Sequence, residues 1–237
     1  MKRSVAARPA EPAASREDET LAMVAYRRLR RDIVTGAFAP GQPLRLEVLR
    51  QRYGLSFSPL REALNRLQAE RLVVAAALRG FSVAPLSTEE MWDATETRIL
   101  IETEALRRSI ERGDDAWEVQ IVAAFHALAL QARRVTSNAA NDDEFWLLEA
   151  RHRDFHHALI ASCGSPRLTS LADQLHAETQ RYRLPSLAGG SPSAKRDIAR
   201  EHRDIMEAAL GRTPTEAVAL LAAHYRRTAE ERAAALG

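Results

Sequence analysis

The sequence predicts a mainly α protein: an N-terminal winged helix-turn-helix of three helices plus a β-hairpin, then a C-terminal all-α bundle of about six helices. Three observations predict it. Leu60, Ala63, Leu64 and Leu67 recur at i, i+3, i+4, i+7, one apolar helical face. Two apolar strand-like runs follow, Leu72–Leu78 and Phe81–Ala84, joined by Arg79-Gly80 in a hairpin with a cationic tip. From Ser87 onward helical patterns run almost to the end, and no strand pattern competes.

The elements follow in order. Residues 1–18, rich in Ala, Pro and charge without periodicity, read as a disordered arm. Thr20 caps a helix to about Thr35 with Leu21, Val24, Ala25, Leu29 and Ile33 as its stripe, and Gly36 ends it. After the turn-rich FAPGQP segment, a short helix over Leu44–Tyr53 buries Leu46, Leu49 and Tyr53, and Gly54 closes it. Ser56 caps the next helix, and Pro59 sits in its first turn, where a missing N–H loses no bond. The hairpin completes a unit spanning 19–86. In the second unit, 87–237, Ser87 and Glu90 make a capping box. Helices are expected near 88–112, 115–135, 141–163, 166–184, 194–211 and 214–236. Gly113, Gly164-Ser165-Pro166, the 187–193 loop and Gly211 separate them.

Composition excludes several classes. With 46% hydrophobic and 28% charged residues the chain has the makings of a soluble core. No run of 18 apolar residues exists, so no membrane span is expected. No secretory signal is visible at the N-terminus. The single cysteine, Cys163, rules out an internal disulfide and fits a reducing cytosol. The net charge of +2 is unevenly spread. Residues 1–86 hold 15 Lys+Arg against 8 Asp+Glu, so +7; the rest holds 19 against 24, so −5. A basic N-terminal unit suits phosphate, and an acidic one avoids it.

The helix after Ser56 keeps Arg61, Asn65, Arg66 and Gln68 off its apolar stripe, leaving a surface sized for a DNA major groove beside a basic wing. Candidate DNA contacts are Arg45, Arg50, Ser56, Phe57, Ser58, Arg61, Arg66, Arg79 and Gly80. For the flanking arginines, solvated helix charges are the competing reading; for Phe57, simple packing competes with contact to a thymine methyl.

All seven histidines lie in the second unit. His152 and His156, at i, i+4, place their Cβ atoms about 5–6 Å apart, close enough to share a metal ion. His202 and His224 lie on later helices and can point inward among Ile198, Ile205 and Ala209, and among Ala217, Leu220 and Leu221. His157 is turned about 100° away, and His126 and His176 have no partner at helical spacing. Spacing alone leaves ligation open against ordinary surface or core histidines.

The order helix, TGAFAPGQPL, short helix, YGLSFSPLREALNRL and a wing RGFSVAPLS resembles the GntR family of bacterial transcription regulators. Gly36, Pro40, Gly41, Leu44, Gly54, Ser56, Pro59, Arg61, Glu62, Ala63, Leu64, Arg79, Gly80 and Val83 match its pattern. The resemblance implies DNA binding, with Arg61 reading a guanine. Phe57 stands where the family usually has a DNA-contacting arginine. RILIE at 98–102, LEARHRDFHHALIASCGSPRL and REHRDIMEAALGRTPTEAVALLAAH resemble the FCD ligand-binding domain of the FadR-like branch. That resemblance implies a divalent transition metal held by an Asp and three His. His156, His202 and His224 occupy the histidine positions; His152 stands at the Asp position, either as the fourth ligand or beside a place filled by water or effector. Four neutral nitrogens favour Zn²⁺, with Ni²⁺ as the alternative, and leave the full +2 charge for an anionic effector. Arg98 stands where such domains place a carboxylate clamp; the competing reading is a salt bridge to Glu102.

The expected function is a transcription regulator, a repressor, in the bacterial cytoplasm at the nucleoid. Its partners are a pseudo-palindromic double-stranded operator, a small carboxylate metabolite and a second copy of the chain as homodimer; no membrane is involved. The rivals are a metal-dependent helical enzyme and an architectural DNA-binding dimer with no effector.

Overall fold

The computed structural model describes residues 20–76, 80–137, 142–189 and 196–236. The expected arm over 1–18 and the wing tip at Arg79 lie outside them.

Helix α1 (Leu21–Val34) starts where the Thr20 hydroxyl accepts the amide of Met23 at 3.2 Å, and it buries Ala25, Leu29, Ile33 and Val34. Helix α2 (Leu46–Tyr53) ends at Gly54, whose φ of +68° is the left-handed conformation a side chain would oppose. The sequence predicts α2 from Leu44, but Leu44 is extended. Its amide donates to Phe81 O at 2.8 Å, and Pro43 bridges Ser82, so the connector lies along the hairpin as a third edge. On α2 only Leu49 is fully buried; Leu46 and Tyr53 are half-buried.

Helix α3 (Phe57–Ala69) turns Pro59, Leu60, Ala63, Leu64 and Leu67 inward, the face its spacing predicts. Each fully buried leucine contributes roughly 1.5–3 kcal/mol. Ser56 occupies the cap position, yet its side chain makes no cap bond. The strands β1 (Val73–Ala76) and β2 (Gly80–Val83) pair antiparallel, Val73 opposite Val83 and Ala76 opposite Gly80. They are shorter than the apolar runs, and residues 77–79 are not described. The three helices, the connector and the strands close on one core.

Six further helices are described: α4 (Thr88–Arg112), α5 (Asp115–Ser137), α6 (Asp142–Ile160), α7 (Pro166–Gly189), α8 (Ile198–Leu210) and α9 (Pro214–Leu236). Ser87 caps α4, its hydroxyl accepting the Glu90 amide at 3.2 Å. Helix α4 packs against α7 and α9, and α5 against α6 and α8. Leu106, Trp117, Ile121, Phe155, Leu159, Ile205 and Leu221 fill the centre. The Trp117 indole donates to Ala158 O at 2.9 Å, so its one polar atom is satisfied. Cys163 is a buried free thiol. Helix α8 starts four residues later than the sequence predicts, because the Asp197 carboxylate accepts the Arg200 amide at 2.9 Å and caps it there. Helix α7 runs five residues further than predicted, to Gly189.

The two sets of helices touch. Phe145 and Trp146 of α6 pack against the core of the winged unit, and the Arg31 guanidinium lies 5.8 Å from the Trp146 ring centre. No described helix is long and apolar enough to cross a membrane.

Candidate functional site

The outer face of α3 carries Arg61, Asn65 and Gln68, all exposed. Arg61 has no ion pair among the described residues, and neither does Arg45 at the start of α2; both guanidiniums face solvent. Ser56 and Ser58 are exposed at the N-terminus of α3, beside the positive end of its dipole. Phe57 is 45% exposed, so packing does not consume it. Its ring has the Arg50 guanidinium 5.7 Å from its centre, and Arg50 in turn pairs with Glu47 at 2.5 Å. Arg66 is drawn back onto α1: it stacks 4.1 Å over Tyr26 and pairs with Glu70 at 3.7 Å. Arg52 is likewise tied, to Asp32 at 2.7 Å. Gly80 begins β2 at φ +77°, a turn conformation that favours glycine.

The second site lies inside the bundle. His152 and His156 of α6, His202 of α8 and His224 of α9 each offer one ring nitrogen, and all four nitrogens lie within 4.8 Å of one another. Nε2 of His152 and Nε2 of His156 are 3.1 Å apart. Two nitrogens bound tetrahedrally to one zinc at 2.0–2.1 Å stand about 3.3 Å apart, so this pair is already at ligand spacing and the wider pairs need modest closing. His156, His202 and His224 are buried; His152 is half-buried.

The surroundings of two rings fix which nitrogen is open. The Tyr225 hydroxyl donates its one proton to Glu102, so toward His156 Nδ1, at 2.9 Å, it accepts. His156 therefore carries its hydrogen on Nδ1 and presents a lone pair on Nε2. Nδ1 of His224 lies 2.8 Å from the Glu201 carboxylate, which only accepts, so His224 has the same tautomer. Carboxylate-to-histidine arrangements of this kind raise the basicity of a metal-facing nitrogen and hold the ring in place. Burial pushes the His224 pKa down to about 4, against the opposing pull of Glu201. Burial, then the neighbouring His202 and His224, push His156 well below the ordinary imidazole value. Both rings are neutral near pH 7, the form a metal needs. Burial works to raise the Glu201 carboxyl, but hydrogen bonds from His224, Arg196 and Arg227 hold it far below the usual carboxylate range.

Arg98 is buried beside this cluster. Its Nε meets Glu102 at 2.5 Å, Nη1 donates to Thr179 at 3.1 Å, and Nη2 reaches His176 and Tyr225 at 3.1 Å each. Of the five N–H groups of a guanidinium, four are thus engaged. One Nη1 hydrogen remains for a ligand, so a two-pronged clamp on a carboxylate requires these bonds to break.

A cavity of about 900 Å³ opens against the cluster. His152, His202, His224, Arg98 and Tyr225 form its polar end; Met91, Phe125, Leu128, Phe145, Leu148 and Tyr182 line the remainder with apolar surface. Arg133, Arg203 and Arg232 add positive charge to its wall. A preformed, mostly apolar cavity with a few convergent polar groups is the usual shape of a small-molecule site.

Tyr225, Glu102, Glu201, Arg196 and His176 belong to this network; the sequence marks Glu102 as a partner for Arg98 and Glu201 within an FCD-like segment, but it does not assign any of the five a role beside the histidines. Glu201 precedes His202 and Tyr225 follows His224, yet Glu201 serves His224 and Tyr225 serves His156, pairings that only helix packing creates.

Residues 21–83 match the gntR family of bacterial regulatory proteins, and residues 93–227 match the FCD domain. The chain is 38% identical over 199 residues to the uncharacterized HTH-type transcriptional regulator BphR of Paraburkholderia xenovorans (strain LB400), spanning 84% of this chain and 80% of that protein. It is 35% identical over 201 residues to the HTH-type transcriptional repressor GlaR of Escherichia coli (strain K12), spanning 84% and 90%. Among solved structures, Escherichia coli McbR/YncC superimposes with a TM-score of 0.74 over 92% of this chain and 100% of that one, at 18% identity, a likeness of fold. An exposed groove-sized helix beside a hairpin and a polar-ended cavity in a helical bundle are what these families join in one chain: this protein belongs to the GntR family of bacterial transcription regulators, with an FCD domain behind its winged helix-turn-helix.

Proposed function

We propose that this regulator is a repressor whose operator affinity is set by a small organic acid bound beside a metal ion in the FCD cavity. The observation that carries the reading is the quartet His152, His156, His202 and His224 at ligand spacing, with His152, His202 and His224 on the cavity wall. Those four residues would hold the ion, Zn²⁺ in first place and Ni²⁺ in second, since imidazole nitrogen suits both better than Mg²⁺ or Ca²⁺. When bound, the ion supplies undiluted positive charge at the polar end, because four neutral rings cancel none of it. A carboxylate head fits there, with one bond from Arg98, and the apolar lining receives the body of the molecule.

The reading head, residues 19–86, uses Arg61 for base readout, with Arg45, Arg50, Ser56, Phe57, Ser58, Arg79 and Gly80 around it; most affinity comes from phosphate contacts. Arg66 serves mainly to brace α3 on α1. Residues 87–237 bind the effector and pair two chains in the cytoplasm. Exposed Val119, Val122 and Leu130 on α5 supply apolar surface that a second copy would cover. Two heads related by a two-fold axis read a pseudo-palindrome, and effector binding changes their spacing.

Metal analysis tests the carrying observation. The purified wild type is expected to hold about one zinc or nickel per chain, and the His156→Ala, His202→Ala double variant almost none. Equal metal content in the two proteins would remove the site.

A further inference from the structure

A chain of polar side chains runs from the cavity wall to the end of the DNA-reading helix. Glu149 lines the cavity and is 5% exposed. Its Oε2 accepts from Gln180 Nε2 of α7 at 3.3 Å. Gln180, also 5% exposed, accepts on Oε1 from Arg30 Nη2 of α1 at 2.5 Å. Arg30 leaves the bundle at that point: it belongs to the winged unit, and its Nε stands 3.6 Å from Glu70 Oε2. Glu70 is the C-cap of α3, and its other oxygen accepts the Tyr26 hydroxyl at 2.7 Å. Arg71, the next residue, pairs with Glu178 of α7 at 3.4 Å, so the end of α3 is tied to α7 once directly and once through Arg30.

We propose that Glu149, Gln180, Arg30 and Glu70 form a relay through which the state of the cavity sets the seating of the reading helix. The inference rests on the regulator reading above and deepens it, by naming how that site is coupled to DNA. The physical argument is one of forced choice. Glu149 is a carboxyl group with little water around it, so the loss of a hydrogen bond there is expensive. A ligand that draws the Glu149 carboxylate toward the cavity weakens its hold on the Gln180 amide. The amide has two faces, and Arg30 holds the other. Arg30 is then divided differently between Gln180 and Glu70, and Glu70 terminates α3. These are positioning residues: none needs to touch DNA.

The test needs no effector. Full-length wild type first enriches operator fragments from a random double-stranded DNA pool, and their affinity is then measured by fluorescence anisotropy. Glu149→Gln, which keeps the shape and removes the charge, is expected to change operator Kd by about fivefold or more, the lower end of ordinary allosteric coupling. In a Gln180→Ala background, and separately in an Arg30→Met background, the same substitution is expected to change Kd by less than about twofold, a non-additivity that contacting or networked residues show. Thermal melts of every variant confirm folding, and two backgrounds keep the cycle readable if one of them is unstable. An operator Kd for Glu149→Gln within about twofold of wild type, or a shift that persists in both backgrounds, overturns the relay while leaving the regulator reading intact. A wild type that enriches no DNA overturns the regulator reading itself.

Discussion

Replacing Tyr225 with Phe removes a single oxygen from the centre of the bundle, and the structure says what that oxygen does. It donates to Glu102, accepts from Arg98 at 3.1 Å, and accepts the Nδ1 hydrogen of His156 at 2.9 Å. Arg98 and Glu102 keep each other, and Arg98 keeps Thr179 and His176. The His156 Nδ1 hydrogen keeps nothing. A buried donor without an acceptor costs about 1–3 kcal/mol. The metal-free variant is therefore expected to melt lower by about 2–12 °C, at roughly 2–4 °C per kcal/mol for a chain of this size. The ring is also free to rotate and to exchange tautomers, which turns the Nε2 lone pair away from His152. Loss of such an outer partner lowers metal affinity by about 10–100-fold. Competition for Zn²⁺ against a chromophoric chelator measures that change directly. Zinc affinity in Tyr225→Phe within twofold of wild type, in a variant that folds, would refute the argument that Tyr225 fixes the ligand tautomer.

Arg61→Ala should weaken operator binding by about 1–3 kcal/mol and relax preference at one base pair; equal binding would strike it from the reading surface. Phe57, exposed at the start of α3, is expected to touch a thymine methyl. Uracil substituted for thymine along the operator should weaken wild type at one position and leave Phe57→Ala indifferent there, and a flat uracil scan in the wild type would exclude the contact. Adding Zn²⁺ at 100-fold above its Kd to chelator-stripped protein should stabilise it by about 2.7 kcal/mol, a rise of roughly 5–10 °C in Tm, and the His156→Ala, His202→Ala variant should show none.

The winged unit was readable because its signals are local. Thr20, Gly54, Pro59 and the stripe from Leu60 to Leu67 each act within a few residues, and each stands in the structure where its spacing places it. Leu44 reads as helical from its local pattern, yet it is extended because its amide bonds Phe81, well along the chain. The late start of α8 follows from a competition the pattern cannot weigh: Asp197 caps better than the residues before it. The histidines were found through their type and, for His202 and His224, through family likeness. What orients them was invisible. The roles of Glu201 toward His224, and of Glu102 through Tyr225 toward His156, arise only when α4, α8 and α9 pack together. Arg98 illustrates the same limit from the other side. Its position points to either a ligand clamp or a salt bridge with Glu102; the fold forms the salt bridge and adds Thr179, His176 and Tyr225, which together occupy most of its hydrogens.

Helix α6 also links the two parts of the molecule mechanically. Phe145 and Trp146 near its start pack against the core of the reading head, and His152 and His156 near its end supply two members of the quartet. Trp146 and His156 are ten residues apart, about 15 Å of one hydrogen-bonded rod. Such a rod does not bend over three turns. It pivots, and a tilt of about 5° imposed at one end displaces the other by about 1 Å. Packed cores answer a displacement of that size by switching between arrangements instead of deforming smoothly. Any force that drew the histidines together would therefore also act on the head as a torque carried along α6.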